Sequence, residues 1–599
     1  MSLWIAGIAR GHNSSVCLLK DGEVVFMIEE ERLSRKKYDG GPLAAITKIL
    51  DYTDRLDYLV IAHTTPLDDA GKIDFTGDDI YTGLARKLGL IERNINEREH
   101  PQVVDFSSVH HKLHAACAFY RSGFDTATAV IVDGAGTFIP MNLQNEEFMT
   151  WELESIFSCE YPCNLKTVYK HQGSRGPHIG ARMTINSDRE GEEGTHQLVI
   201  DDTGGIVKAY EAVTQYCGWA PIEAGKTMGL APYGKANDQI PPIYDDAGGN
   251  MWVTTNRNLI IPTFPNGAKV AETRFEYLNT ADEVYNQNVD LTEFDNRRDL
   301  AYAVQEESQK ETLRLILEAV EKTGNKNIVL SGGYGLNCVA NYYYLDELKK
   351  HDINLYVEPV SNDAGTAIGA AYLMHHMITR EVEPVYAAQD LFLGLPYEYS
   401  IDDINSIVEK YEASVKTVSI NDIVELLTNK NIVAQFQGRS EAGPRALGNR
   451  SILFDPTFED GKDFVNQVKR REYFRPFAGS ILHEHAREWF DMKTLEESPY
   501  MMYAVDCKSG VENKIPSIIH VDGTCRIQTV KQDQNKNYYE LIEKFYNKTG
   551  VPILFNTSFN LAGEPLVETL DDAVRTLYNS DIEYLYLPEY KKLIEIKNL

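Results

Sequence analysis

Long apolar runs are missing from this chain of 599 residues. No stretch approaches the roughly 20 unbroken hydrophobic residues that a membrane-spanning helix needs, so no membrane partner is expected. Cysteine is scarce: eight residues are scattered along the chain, too few for a disulfide framework. Cys159 and Cys163 lie four apart, but no second pair completes a zinc site. Positive charge is in deficit, with 59 Lys and Arg against 89 Asp and Glu, a net charge of −30. So acidic a surface repels nucleic-acid phosphates and anionic lipid, which excludes nucleic acid as an expected partner. It also aids solubility, and that accounts for most of it. The opening residues, MSLWIAGIARGHNSS, lack a basic segment leading into a long apolar run and a small-residue cleavage site. They read as a strand entering a turn, and a cytoplasmic location is expected.

What is present suits a globular protein: 43% hydrophobic and 25% charged residues. The length exceeds what one hydrophobic core serves, so two domains are expected. Four apolar strands each run into a turn of small residues: Leu3 to Ile8 before Gly11-His12-Asn13-Ser14-Ser15, Ala127 to Val132 before Asp133-Gly134-Ala135-Gly136, Asn327 to Leu330 before Ser331-Gly332-Gly333, and Leu355 to Val357 before Ser361-Asn362-Asp363. Singly such turns mean little. Four in one region predict an α/β nucleotide site built from two similar halves. Helices are predicted over Arg298 to Thr323 and Ala367 to Met377. The polar, Gly-rich segment 174–205 reads equally as a loop, a lid or a β-insertion. Two prolines and no helical period between Glu381 and Tyr399 set the domain junction, giving domains 1–385 and 386–599.

His110 and His114 stand i and i+4 on a predicted helix, so both imidazoles leave one face. Such pairs are commonly surface or core residues. Asp133 and Asp363, each closing a strand turn, would complete a set of two imidazoles and two carboxylates that suits iron or another first-row divalent ion. The C-terminal half concentrates arginines in Gly/Pro turns: Arg439, Arg445 and Arg450 in GRSEAGPRALGNRS, then Lys469, Arg470, Arg471 and Arg475, then Arg526. Guanidinium groups that converge make an anion pocket; dispersed, they make surface salt bridges. A buried strand from Val551 ends in Asn556-Thr557-Ser558-Phe559-Asn560, polar groups that either cap the next element or line a site.

Together these motifs resemble one family. GHNSS, EERLSRKKYDGG, HHKLHAACAF, DGAG, GKTMGLAPYG, SGGYGLNCVAN, SNDAGTAIGAA, GRSEAGPRALGNRSIL, REYFRPFAGSIL and PILFNTSFN before GEP occur in the order found in O-carbamoyltransferases of the NodU/CmcH type, over nearly the whole chain. The resemblance implies an α/β protein with an N-terminal actin-like ATPase (ASKHA, Kae-type) domain and a C-terminal YrdC-like α/β domain. It implies carbamoyl phosphate, ATP with Mg²⁺, and a hydroxyl-bearing small molecule as reactants, and carbamoyl adenylate as the intermediate. It assigns iron or another divalent ion to His110, His114, Asp133 and Asp363, and the general-base position to His12, since an imidazole titrates near working pH. It assigns adenosine contacts to Glu223, Lys226, Gly332, Gly333 and Asn337. In the C-terminal domain it assigns Lys469 and Arg475 to catalysis, and Arg445, Arg450, Arg526, Asn556, Ser558 and Asn560 to binding. A homodimer is compatible with this reading. Two positions depart from the pattern, Asn13 where many relatives carry Asp and Tyr38 where many carry His; both lie near the expected acceptor pocket. The rival readings are a tRNA threonylcarbamoyl-type transferase, which the acidic surface disfavours, and a non-catalytic protein that binds nucleotide or carbamoyl phosphate.

Overall fold

The structure, a computed structural model, describes residues 2–65, 80–92, 101–143, 145–174, 181–186, 195–201, 204–238, 240, 242–245, 254–255, 294–382 and 390–596. The chain divides into two compact units, one of Met1–Val25 and Gly41–Gln389, the other of Phe26–Gly40 and Asp390–Leu599. The expected division at 385/386 has no counterpart to the 26–40 segment, which is counted with the second unit. Residues 383–389, inside the expected junction, lie outside the described residues.

The first unit holds two mixed sheets. In one, Trp4–Ala9 pairs antiparallel with Ser15–Lys20 and parallel with Tyr58–Ala62, which in turn runs parallel to Val103–Asp105. In the other, Thr126–Val132 pairs antiparallel with Glu146–Glu160 and parallel with Asn327–Ser331, which runs parallel to Asn354–Val357. Each sheet thus sets a strand with an antiparallel neighbour on one side and two parallel strands on the other. This repeat is the physical form of the two similar halves expected from the turns. The segment 174–205 contributes strands Ala181–Asn186 and Thr195–Asp201, paired with each other, so among the described residues it is a β-insertion.

Two helices of this unit are buried along most of their length. Gly365–Thr379 is buried from Gly365 to His376, and His110–Ser122 is buried at every position but Lys112. Gly369 lets these two helices touch backbone to backbone, since a Cβ there would stand 2.0 Å from the Leu113 carbonyl oxygen. That close approach brings the start of one helix to the start of the other.

The second unit is built on a ten-stranded sheet, counted among the described residues. Its centre runs Val433–Phe436, Arg450–Phe454, Ile553–Ser558, Ala478–Leu482 and Thr524–Val530. The apolar residues of these strands are buried, as continuous Val/Ile/Leu/Phe runs require. Helices Ile401–Lys410 and Ile420–Thr428 open with serine capping boxes at Ser400 and Ser419. No helix among the described residues is long and apolar enough to cross a membrane.

Candidate metal centre and cationic cluster

In the first unit the helix His110–Ser122 presents His110 and His114 one turn apart, their Nε2 atoms 3.2 Å from each other. Asp363, in the turn before Gly365–Thr379, places Oδ1 3.5 Å from His110 Nε2 and 3.6 Å from His114 Nε2. Asp133, just beyond Thr126–Val132, places Oδ2 3.8 Å from His110 Nε2. One ligand atom from each of the four lies within 4.8 Å of the others. Both histidines are buried, and Asp133 nearly so. Burial alone would lower the His110 imidazole, but the hydrogen bond and charge of Asp363 outweigh it and raise it. Burial opposes ionisation of Asp363 too, yet the two histidines hold it well below the usual carboxylate range. Two imidazole nitrogens and two carboxylates converging in a buried spot form a donor set that fits a divalent first-row cation.

The surrounding residues fix these ligands. The His110 N–H donates to Thr137 Oγ1 at 2.9 Å, and that hydroxyl donates to the Ser107 carbonyl at 2.9 Å. Glu152 Oε2 accepts the Thr137 N–H at 2.9 Å and the His111 N–H at 3.3 Å, while its other oxygen pairs with Lys170. The remaining histidine of the cluster, His111, turns away: its Nδ1 meets Ser155 Oγ at 2.8 Å, and burial pulls its pKa down to about 4. Glu152, Lys170 and Thr137 were not singled out in the sequence. Their signal was acids alternating with apolar residues in Trp151-Glu152-Leu153-Glu154, a strand that is buried on both faces. His63 was also missed; burial first, then the Arg10 charge, lowers it to about 4, and it feels both His110 and Asp363.

Of the other expected residues of this unit, His12 is half exposed, with Nδ1 3.7 Å from Asp363 Oδ2. Gly332 takes φ +90°, where a Cβ would lie 2.4 Å from the Val132 carbonyl oxygen, and the turn it makes lets the Gly333 N–H donate to Asp133 Oδ1 at 2.8 Å. Asn337 caps the helix Cys338–Lys350 and exchanges amide hydrogen bonds with Gln305 at 3.0 and 3.3 Å, so its polar atoms are engaged within the fold. Glu223 and Lys226 pair with each other at 2.8 Å. Met228, on the same short helix as Lys226, meets the Cys338 thiol at 3.9 Å, which sets that helix beside Asn337.

In the second unit the Lys469 ammonium, buried at the end of Gly461–Lys469, donates to the Ser558 carbonyl at 2.5 Å, the Asn560 carbonyl at 2.8 Å and Asn560 Oδ1 at 3.3 Å. Ser558 Oγ donates to Asn560 Oδ1 at 2.6 Å, which ties three expected residues together. Burial first, then the charges of Arg471 and Arg475, lower the Lys469 pKa well below its usual value. Arg471 is lowered likewise by burial and by Arg475 and Arg526, and lies over the Phe477 ring at 4.5 Å. Arg471 stood in a quoted run but was not selected; its neighbours in space, not in sequence, mark it. Arg475 pairs with Glu472 at 3.5 Å. Arg526, Ala478 and Asn556 stand in register across three adjacent strands.

Arg450 and Asn556 are turned to a different task. Arg450 is fully buried, donates to the carbonyls of Gln437 (2.6 Å), Asn449, Gly438 and Glu568 (each 3.1 Å), and stacks on Phe436 at 3.7 Å. Asn556 donates to the Ala446 carbonyl at 3.2 Å, Gln528 to that of Leu447 at 2.9 Å, and Gln435 to that of Gly448 at 2.7 Å. Glu441 Oε1 accepts the N–H groups of Leu447, Asn449 and Arg450. The loop that carries Arg445 is thereby held along its backbone by side chains from several strands.

Residues 70–372 match the family described as Carbamoyltransferase N-terminus, and residues 424–592 match Carbamoyltransferase C-terminus. The chain belongs to the carbamoyltransferase family and is an enzyme of that class, as its resemblance to the NodU/CmcH type implied. It is 29% identical to the nodulation protein NolNO of Sinorhizobium fredii, over 97% of this chain and 78% of that one. It is 26% identical to the 3'-hydroxymethylcephem-O-carbamoyltransferase of Amycolatopsis lactamdurans, over 95% of both. Among solved structures, full-length HypF in its phosphate- and nucleotide-bound form aligns with a TM-score of 0.35 and 12% identity, covering 63% of this chain and 56% of that one. The chain thus spans little more than half the length of that protein.

Proposed function

We propose that the chain is an ATP-dependent O-carbamoyltransferase whose acceptor is a hydroxyl of a small molecule. In this reading the second unit is YrdC-like and binds carbamoyl phosphate and ATP. Carbamoyl phosphate and water give carbamate and phosphate; carbamate attacks the ATP α-phosphorus, forming carbamoyl adenylate and expelling pyrophosphate. The first unit, of the actin-like ATPase kind, receives the adenylate; the acceptor oxygen bonds to the carbamoyl carbon, AMP leaves, and the hydroxyl proton is taken up. The observation that carries the reading is the crowding of Lys469, Arg471, Arg475 and Arg526. The buried Lys469 and the partly buried arginines beside it repel one another, an arrangement that a bound polyanion would relieve.

Lys469 holds the strand end at Ser558 and Asn560, and Arg471, Arg475 and Arg526 would meet phosphate oxygens. His12, half exposed and beside Asp363, is placed to accept the acceptor's proton. His110, His114, Asp133 and Asp363 would hold iron or another divalent ion, which as a Lewis acid polarises a bound oxygen. The test is pyrophosphate release from ATP and carbamoyl phosphate. Wild type should release it only with both substrates, and Arg475→Ala should lose at least roughly a hundredfold in rate. Equal rates in the two proteins would remove the cationic cluster from the reaction.

A further inference from the structure

The motif EERLSRKKYDGG and the Glu29 that precedes it have no part in the chemistry above, yet Glu29, Arg32 and Arg35 are bonded to distant loops of the second unit. Glu29 and Arg32 are both buried and lie 3.6 Å apart. Between them they grip a single residue: Glu29 Oε1 accepts the Gly443 N–H at 3.1 Å, and Arg32 Nη2 donates to the Gly443 carbonyl at 2.9 Å. Three residues on, Arg35 donates to two consecutive carbonyls, Leu566 at 2.6 Å and Pro565 at 3.0 Å, with Nε 3.5 Å from Asp572. The Met27 N–H adds a hydrogen bond to the Leu393 carbonyl at 2.8 Å.

One gripped stretch leads into Arg445, which the family resemblance assigns to binding, and the other adjoins the residues that hold Lys469. Gly443 stands two residues before Arg445, at φ +82°, in the loop whose other end is held by Glu441. Pro565 and Leu566 follow Glu564, whose carbonyl accepts from Asn560 at 2.7 Å and whose charge acts on Lys469. A buried ion pair adds little stability by itself, because desolvation consumes its Coulomb gain; what it gives is a fixed geometry. Glu29, Arg32 and Arg35 therefore look wasteful as stability devices and sensible as devices of geometry.

We infer that Glu29, Arg32 and Arg35 are positioning residues for the anion site of the second unit, a brace that presets the loops bearing Arg445 and the Asn560–Glu564 turn before substrate arrives. The inference rests on the proposed carbamoyl-phosphate site, and its test separates the two. Full-length wild type, Arg35→Met, Arg35→Lys, Glu29→Gln and Arg475→Ala are compared by amide hydrogen exchange over residues 441–447 and 560–567 and by calorimetric titration with carbamoyl phosphate. Arg35→Met should speed exchange in 560–567 and raise the carbamoyl-phosphate Kd about tenfold, since only part of the energy of the two lost bonds is felt in binding. Arg35→Lys, with one carbonyl still in reach, should fall between, and Glu29→Gln should loosen 441–447. Arg475→Ala should lose binding with exchange unchanged. If Arg35→Met does not fold, Arg35→Lys and the isosteric Glu29→Gln carry the same comparison. Wild-type exchange in the brace variants, or faster exchange with unchanged Kd, overturns the brace. Faster exchange in a wild-type background that binds no carbamoyl phosphate overturns the proposed site and the brace's purpose, while leaving its contacts standing.

Discussion

At Gly332 the backbone takes φ +90° with the Val132 carbonyl pressed against it, and the next N–H is delivered to Asp133. Gly332→Ala adds both a strained φ and a 2.4 Å collision, and should cost about 1–3 kcal/mol in urea melts. The histidines permit a sharper comparison because adjacent residues differ in direction. Under the metal reading, His114→Asn should abolish stoichiometric iron or zinc binding measured by elemental analysis, since one of four donors is lost. His111→Asn should keep the metal, because its ring faces Ser155 instead. The converging set was legible in the sequence: i, i+4 spacing fixes the two imidazoles, and strand ends mark the two aspartates. Arg450 was not legible. An arginine in a Gly-rich turn reads the same whether its donors meet phosphate or four carbonyls, and only the fold shows that they meet carbonyls.

Among the elements, strands and helices matched the hydrophobic pattern closely where each was buried on a clear period. Gly365–Thr379 extends the span expected from Ala367 to Met377 by two residues at each end. The 174–205 segment resisted because its strands are short and set in a Gly-rich, polar stretch, and a partner strand far off in sequence cannot be read from local pattern; Leu198, for instance, lies opposite Lys170. The loop from Arg439 to Arg450 is an element of a different kind, ordered by side chains instead of a ladder. Glu441 Oε1 is its main acceptor, taking three N–H groups in a fully buried setting. Glu441→Ala should destabilise the chain by about 2–4 kcal/mol in denaturant melts, and Glu441→Gln, which keeps an acceptor, by about 1 kcal/mol.

For the whole molecule, the net charge of −30 leaves a self-repulsion that salt screens. The melting temperature should rise as NaCl goes from about 10 to about 300 mM, over which the Debye length falls from about 30 Å to well under 10 Å. A fall would mean that the surface ion pairs, such as Arg314 with Glu311 and Glu318, outweigh the repulsion. Length led to an expectation of two domains, but the allegiance of residues 26–40 was not legible, because the bonds that decide it span 411 and 531 positions of sequence. That detour has a bearing on inheritance. A recombination break near residue 390 would pair Arg32 and Arg35 from one parent with Gly443 and Pro565 from another. Chimeras among relatives should therefore survive best when 26–40 travels with the C-terminal piece, and cassettes cut at the apparent border should be handicapped even though both halves are whole.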